Sequence, residues 1–526
     1  MKFQLFATGL VVTALGQAQN FGRKYIYQQC FRLSCAIYIT LSDVLTSRPF
    51  FQCGVLEAAG LGNRVSRNTS TLYNGALSTY WSLDNTRISP AYIFVPQSAE
   101  EVATAVKVLG VSGGNNDQSS KLCTHCCKFA VRNAGHTANP GSNNIQDGVT
   151  INFSAINIII YHADKNLTLV QPGTHWGSVY EELSKISLMV FGGRAYIVGV
   201  GGLFLSGGNS FYSTTRGFVY NGVAEFEVVL VNSSIVNINA NENADLYRVL
   251  KGGSNNFGVV TRFDLNIFKT PATLWGGSAA FPFSTSPKVI SAMQNFVTVF
   301  GNEGRKSDSA IAFWTYTQGE TPADPLINSA LHNVDGTANA PGLAEFLNIP
   351  GSVTSALRTD TFAGFINELE LPQGNYNAWR TLTFKNNRDI MAYAVETYLS
   401  MVKELEAEPS LGFTAQYVFQ GLSVEQFRQA AANGGNMLGL EDRNENLVLF
   451  FGMVAYKNPK FKKLIDAKMT TWVDSIKTFA VENGADDEFL FLNYADLSQN
   501  PLGSYGDKNI AFMEEVVSKY DPNGIF

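Results

Sequence analysis

No cysteine follows Cys127 in this 526-residue chain, and all six lie at Cys30, Cys35, Cys53, Cys123, Cys126 and Cys127. A quartet for structural zinc would have to join Cys123-Thr-His125-Cys126 to Cys30 and Cys35, a poor match to the usual spacing, so no metal is expected. Basic excess is missing too. Lys and Arg number 38 against 44 Asp and Glu, a net charge of −6, which excludes a nucleic-acid-binding surface. The dinucleotide fingerprint is absent, because Gly199-Val200-Gly201 is followed by Gly202, Leu203 and Phe204 rather than by the required third glycine. Gly110-Val-Ser112-Gly-Gly114 spells the hydrolase nucleophile elbow, but a helical pattern precedes it where a strand is needed. The apolar run Phe3–Leu15 is too short to span a bilayer, and no membrane association is expected. With Lys2 before it and small residues around Gly16, it reads as a secretory signal over residues 1–18. Sequons at Asn68, Asn152, Asn166 and Asn232 agree with a secreted, extracellular protein.

Hydrophobic residues make up 45% of the chain and charged residues 16%, enough apolar matter for two or three domain-sized cores. Ser98 with Glu101 forms a capping box, and Val102, Ala105, Val106 and Leu109 follow on one helical face. Trp176–Ile186, Ala244–Leu250 and Asp389–Glu406 also read as helices. Val149–Phe153, Leu167–Val170, Phe226–Val231, Val259–Phe268, Ser309–Thr317 and Phe413–Phe419 read as strands. This mixture, without a repeating strand–helix unit, predicts an α+β fold. Glycine-rich blocks stop near Lys269, where the character of the chain changes.

The stretch Cys127–Arg132 is β-prone, and the backbone then loosens through Asn133, Ala134 and Gly135 before His136 and Thr137. Glycine permits positive φ and close approach to a ligand, and successive N–H groups in such a turn suit a pyrophosphate. A histidine at the mouth of that turn suits a covalently held flavin; a buried or capping histidine is the alternative from these residues alone. Gly199, Gly201, Gly202, Gly207 and Gly208 fall within ten residues, a density that points to backbone against a cofactor more than to a single tight turn.

Residues 131–136 (VRNAGH), 192–213 (GGRAYIVGVGGLFLSGGNSFYS), 251–262 (KGGSNNFGVVTR) and 492–496 (LNYAD), with the closing DPNGIF, resemble in order and spacing the secreted flavin oxidases related to berberine bridge enzyme. These belong to the vanillyl alcohol oxidase and p-cresol methylhydroxylase superfamily, and the resemblance runs from about Cys53 to Phe526. It implies a p-cresol methylhydroxylase-type FAD-binding domain over 53–268, an inserted antiparallel-sheet substrate domain over 269–485, and a return to the FAD domain over 486–526. Residues 19–52 and Ser119–Cys126 fit the pattern poorly and read either as insertions or as a propeptide and a loop. A Cys53–Cys127 disulfide is implied by the same resemblance.

The resemblance makes His136 the residue bonded to the flavin 8α-methyl. Arg132, Asn133, Ala134, Gly135, Thr137, Val198, Gly199, Gly201, Gly202, Gly207, Gly208, Phe257, Gly258, Val259 and Asn493 become FAD-binding residues. Ala195 stands where some relatives carry a second, cysteine tether, so a single covalent link is expected. Val198 matches an oxygen gate, and Asn221 stands where relatives often have Asp. Tyr494, in the N-Y-x-D motif, becomes the catalytic base beside flavin N5, with Tyr417 as a weaker candidate. The implied activity is oxidation of an alcohol or carbohydrate hydroxyl, with molecular oxygen reduced to hydrogen peroxide, by a protein acting as a monomer. Oxidative cyclisation or dehydrogenation of a secondary metabolite, and a catalytically idle flavin-binding protein, are the alternatives.

Overall fold

The computed structural model describes residues 54–111, 127–320, 324–370, 372–432 and 434–526. The signal, residues 19–52, Cys53, Ser112–Gly114 and Ser119–Cys126 lie outside them. Cys127 is buried and disulfide-bonded, and the other five cysteines lie outside the described residues.

Three sheets organise the chain. The first has four strands in the order Val65–Arg67, Tyr92–Phe94, Val149–Asn152 and Phe129–Arg132, the last three parallel. The helix Ala99–Val111 covers it with Val102, Ala105, Val106 and Leu109. Ser98 Oγ accepts from the Glu101 N–H at 3.3 Å, as the capping box requires. The Glu101 carboxylate reaches back to the Gln97 N–H at 2.7 Å and pairs with Arg64 at 3.0 Å.

The second sheet is antiparallel. Its strands run Ile159–His162, Leu167–Val170, Val259–Lys269, Val223–Val229 and Ile235–Asn239, and Leu188–Val190 also pairs with Val259–Lys269. Asn152 of the first sheet is only 4% exposed and gives its side-chain oxygen to the Ser154 N–H, so its sequon is closed to a glycan in the folded protein. Asn68, Asn166 and Asn232 are exposed.

The third sheet, of nine strands, is antiparallel throughout. Its centre runs Leu274–Pro282, Leu326–Asn333, Asp308–Thr317, Phe413–Leu422, Leu447–Tyr456 and Tyr376–Lys385. Strand residues alternate between faces, and here both faces are covered, which is why Leu447–Tyr456 reads LVLFFGMVAY with no polar alternation. One face carries Ala312, Trp314, Tyr417, Phe419, Val448 and Phe450. Helices Ser286–Val299, Arg388–Glu406 and Lys462–Glu482 seal it with residues at helical spacing, among them Ile390, Ala394, Tyr398, Met401 and Leu405. Asn387 caps the second of these by accepting from the Asp389 and Ile390 N–H groups. The other face carries Ile311, Phe313, Ala330, Val418, Phe451, Met453 and Trp379, and packs against Trp81, Ala138, Ile197, Leu369 and Tyr494 from outside the sheet. That second face positions the site.

Trp314 anchors the helix-covered face. It is fully buried, stacks on Tyr417 at 5.0 Å and 8°, and donates its indole N–H to Ser286 Oγ at 3.0 Å. Trp314→Ala should therefore lower stability by about 3–5 kcal/mol, and Trp314→Phe by less. Urea unfolding followed by circular dichroism measures this, and an unchanged midpoint in the alanine variant would show that the face does not depend on the indole.

Candidate active site

His136 follows directly from the first sheet. Strand Phe129–Arg132 ends at a buried arginine that donates to Ala76 O at 2.6 Å and Thr79 Oγ1 at 2.7 Å and lies 3.7 Å over the Tyr80 ring. The chain then turns at Gly135, φ +80°, where a Cβ would come within 2.8 Å of the Arg132 guanidinium. The Gly135 carbonyl accepts from the Trp81 N–H at 3.2 Å. Trp81 in turn stacks on the His136 ring, centroids 4.7 Å apart at 16°. Thr137 offers its carbonyl to Asn85 Nδ2 at 2.9 Å, and Asn139 Nδ2 donates to Ala495 O at 2.9 Å, which ties this loop to the C-terminal segment.

The His136 Nε2 is buried without a hydrogen-bond partner. Burial pushes the imidazole pKa down to about 4, so the ring is neutral at working pH and keeps a lone pair. It lines a cavity of about 250 Å³ with Ser78, Thr79, Trp81, Ala134, His175, Ile197 and Gln373. Burial, with Arg132 adding to it, also holds His175 below the ordinary histidine range.

The glycine block lies against this loop. Residues 174–177 and 196–200 pair in antiparallel fashion: Trp176 N–H donates to Val198 O at 3.0 Å, Gly177 N–H to Tyr196 O at 3.0 Å and Val200 N–H to Thr174 O at 3.1 Å. A Cβ at Gly199 would stand 2.7 Å from Ala134 Cβ, and one at Gly201 would overlap Asn133 Nδ2. Gly202 is exposed and faces open space. Gly207 and Gly208 have φ of +116° and +71°, and the Gly208 N–H donates to Asn493 Oδ1 at 3.2 Å. The N-Y motif is thereby joined to the glycine block across most of the sequence. Glu370 adds a further support: its Oε1 accepts from the Ile197 N–H at 2.7 Å, and burial raises its pKa.

Tyr494 packs on the second face of the third sheet, opposite the helices. Its ring stacks on Phe451 at 4.5 Å and 26°. Its hydroxyl oxygen accepts from Arg194 Nη2 at 3.3 Å and from Gln420 Nε2 at 3.4 Å, and Arg194 Nη2 also donates to Gln420 Oε1 at 2.6 Å. A phenol, a guanidinium and an amide thus converge beside the apolar cluster that holds Trp81, the ring stacked on His136.

Other predicted residues fall elsewhere. Tyr417 is on the opposite, helix-covered face, fully buried, with its pKa raised well above the ordinary value by burial, and cannot serve this site. Phe257 and Val259 are buried core side chains. Gly258, φ +137°, takes a position where a Cβ would come within 2.5 Å of Val228. Val198 packs against the core of the second sheet, and its neighbour Ile197 is the one that lines the His136 cavity. Asn221 donates to Gln429 O at 2.8 Å, a structural bond that accounts for an amide there. Arg194, Gln420, Trp81, His175 and Glu370 belong to the site without a motif of their own; only Arg194 lies inside a quoted block.

The arrangement fits a covalently anchored flavin: a neutral buried imidazole with a free nitrogen faces a cavity, beside glycines that leave no room for side chains. Comparison with known proteins supports the FAD-binding part of this reading. Residues 90–239 match an FAD binding domain. FAD-dependent monooxygenase sdcF of Emericella nidulans is 32% identical over 475 residues, covering 90% of this chain and 96% of that protein. FAD-dependent monooxygenase tpcD of Cochliobolus heterostrophus is 33% identical, covering 90% of each. Among solved structures, carbohydrate oxidase from Microdochium nivale superposes with a TM-score of 0.71 at 19% identity, over 90% of this chain and 97% of that one. A single-residue variant of berberine bridge enzyme gives 0.69 at 14%, over the same shares. The chain belongs to the family of FAD-dependent oxidoreductases that includes sdcF and tpcD, it carries an FAD binding domain, and its fold is the one seen in berberine bridge enzyme and the carbohydrate oxidase.

Proposed function

We propose that the protein is an oxygen-dependent oxidase that carries FAD on a single bond from His136 to the flavin 8α-methyl and oxidises a hydroxyl group of a small molecule, an alcohol or carbohydrate. The observation that carries this reading is the convergence of Arg194 and Gln420 on the Tyr494 hydroxyl. In this reading Tyr494 removes the substrate's hydroxyl proton as a hydride leaves the same carbon, so that the C–H bond breaks and a carbonyl forms. Arg194 and Gln420 donate to the phenolic oxygen and orient the lone pair that receives the proton, while the stacked Phe451 holds the ring in place. The chemistry supplied by bound FAD is acceptance of the hydride and passage of two electrons to dioxygen, which leaves as hydrogen peroxide. Burial keeps His136 in the neutral form that can bond to carbon. The same reading has the chain secreted, with residues 1–18 as its signal, and acting as a monomer.

Tyr494→Phe removes one hydroxyl and keeps the ring on Phe451. Substrate oxidation followed by stopped flow should slow about 10²–10⁴-fold, the range for loss of a general base, with the flavin content unchanged. A loss below about threefold would leave Tyr494 as pocket lining.

The names of the sdcF and tpcD relatives, FAD-dependent monooxygenases, favour a second reading, oxygenation of the substrate. Turnover under ¹⁸O₂ separates the two. The oxidase reading expects the label in hydrogen peroxide and none in the organic product; ¹⁸O in the product would replace it with the monooxygenase reading.

A further inference from the structure

Arg194 is a half-buried cation in this site. The backbone on either side of it is pinned. The Gly193 carbonyl accepts from the Tyr180 hydroxyl at 2.8 Å, and the Ile197 N–H donates to Glu370 at 2.7 Å. The side chain reaches the second face of the third sheet through Nη2, which donates to Gln420 Oε1 at 2.6 Å and to the Tyr494 hydroxyl at 3.3 Å. An amide and a phenol therefore take one nitrogen of the guanidinium. The other N–H donors, on Nε and Nη1, make no hydrogen bond among the described residues, and neither nitrogen is sealed off from solvent.

A charge drawn out of water is ordinarily paired. Among the described residues no carboxylate lies within ion-pair distance of Arg194, and the acidic side chains of the segment beside it are engaged elsewhere. Glu368 pairs with Arg358 at 2.5 Å, and Glu370 turns its Oε1 to the Ile197 N–H.

The charge of Arg194 extends into an adjoining cavity of about 210 Å³. There, burial first and then the Arg194 and Arg358 guanidiniums push the His332 pKa down to about 3. His332 is thus neutral and offers one donor and one acceptor, and its Nδ1 is buried without a partner. Ser278 and Asn328 line the same cavity with side chains that make no hydrogen bond among the described residues. The cavity shares Phe313, Ala330 and Leu369 with the cluster on which Tyr494 packs. An uncompensated cation, polar groups without partners and the Tyr494 hydroxyl therefore lie along one wall.

Such a wall favours an acceptor that carries charge. A neutral hydroxyl would bond to Arg194 and leave its charge uncompensated. A phosphate monoester brings about two negative charges at neutral pH to one guanidinium. A carboxylate brings one.

We propose that Arg194 is the anion-binding residue for the substrate, and that its Nε and Nη1 donors take a carboxylate carried by the molecule whose hydroxyl is oxidised. The proposal rests on Tyr494 marking the reacting end, and it narrows the substrate to a hydroxy acid. The cavity beside Arg194, with Ser278, Asn328 and His332, takes the polar remainder of that molecule.

Paired probes test this on the holoenzyme at neutral pH: lactate with lactamide, and gluconate with gluconamide. Each pair differs only in the charge of one group, and binding is read from the change in the flavin absorption spectrum. Each acid should bind about tenfold tighter than its amide, or more. Arg194→Met should abolish the preference, with the covalent flavin content unchanged as the check on folding, and Arg194→Lys, which keeps the charge, should retain part of it. The wild-type comparison decides the matter even if a variant does not fold. Equal binding within a pair, no detectable binding of either acid, tighter binding of inorganic phosphate than of both acids, or a preference that survives in Arg194→Met would each overturn the proposal. Tyr494→Phe separates this from the oxidase reading. If that variant retains turnover while the wild type prefers the acids, the assignment of the base falls and the anion site stands. If it loses turnover while the wild type shows no preference, the anion site falls alone.

Discussion

A methyl group at Gly201 would overlap the Asn133 amide, and one at Gly199 would press on Ala134. The close approach of these two backbones is the constraint on which the rest of the site depends. Because neither glycine carries a side chain, the turn after strand Phe129–Arg132 can lie against residues 196–202, and His136 is fixed with one nitrogen facing a cavity instead of a protein partner. Trp81 closes one side of the imidazole by stacking, and Ile197 stands on the cavity wall held by Glu370. A larger residue at either glycine would move the turn that carries the histidine, the proposed anchor of the cofactor.

The third sheet supplies the other half. Its two faces do different work, although the strands are apolar on both. Helices seal one face around Trp314 and Tyr417, which makes the sheet a stiff plate. The opposite face presents Phe451 to Tyr494, Trp379 to Trp81 and Gln420 to Arg194. The Asn493 bond to Gly208 and the Asn139 bond to Ala495 bring the C-terminal N-Y motif back to the glycine block and the histidine turn. Tyr494, His136 and the sheet face beside them are thus held by separate elements that meet at one apolar seam.

Much of this is legible in the amino-acid order, where local physics decides. The Ser98–Glu101 cap follows from capping chemistry, and the strand Leu167–Val170 and the helix opening at Trp176 from local residue type; the structure places each within a few residues of its expected bounds. The turn before His136 is legible because glycine marks it. Arg194, Gln420 and His332 are not, since each is a lone polar residue whose partners come from distant segments; Arg194 and Gln420 are 226 residues apart. Alternation along Phe413–Leu422 puts Tyr417 and Gln420 on opposite faces. Which face meets the flavin side is a tertiary fact, and it removes Tyr417 as a base while bringing Gln420 in.

The central claim is that His136 is the cofactor's covalent anchor. Denaturing the purified protein, digesting it and determining the peptide masses tests it most directly. The account predicts that the flavin stays attached through denaturation and is found on the peptide that contains His136 and on no other. Flavin released intact by denaturant, or found on a different peptide, would contradict it.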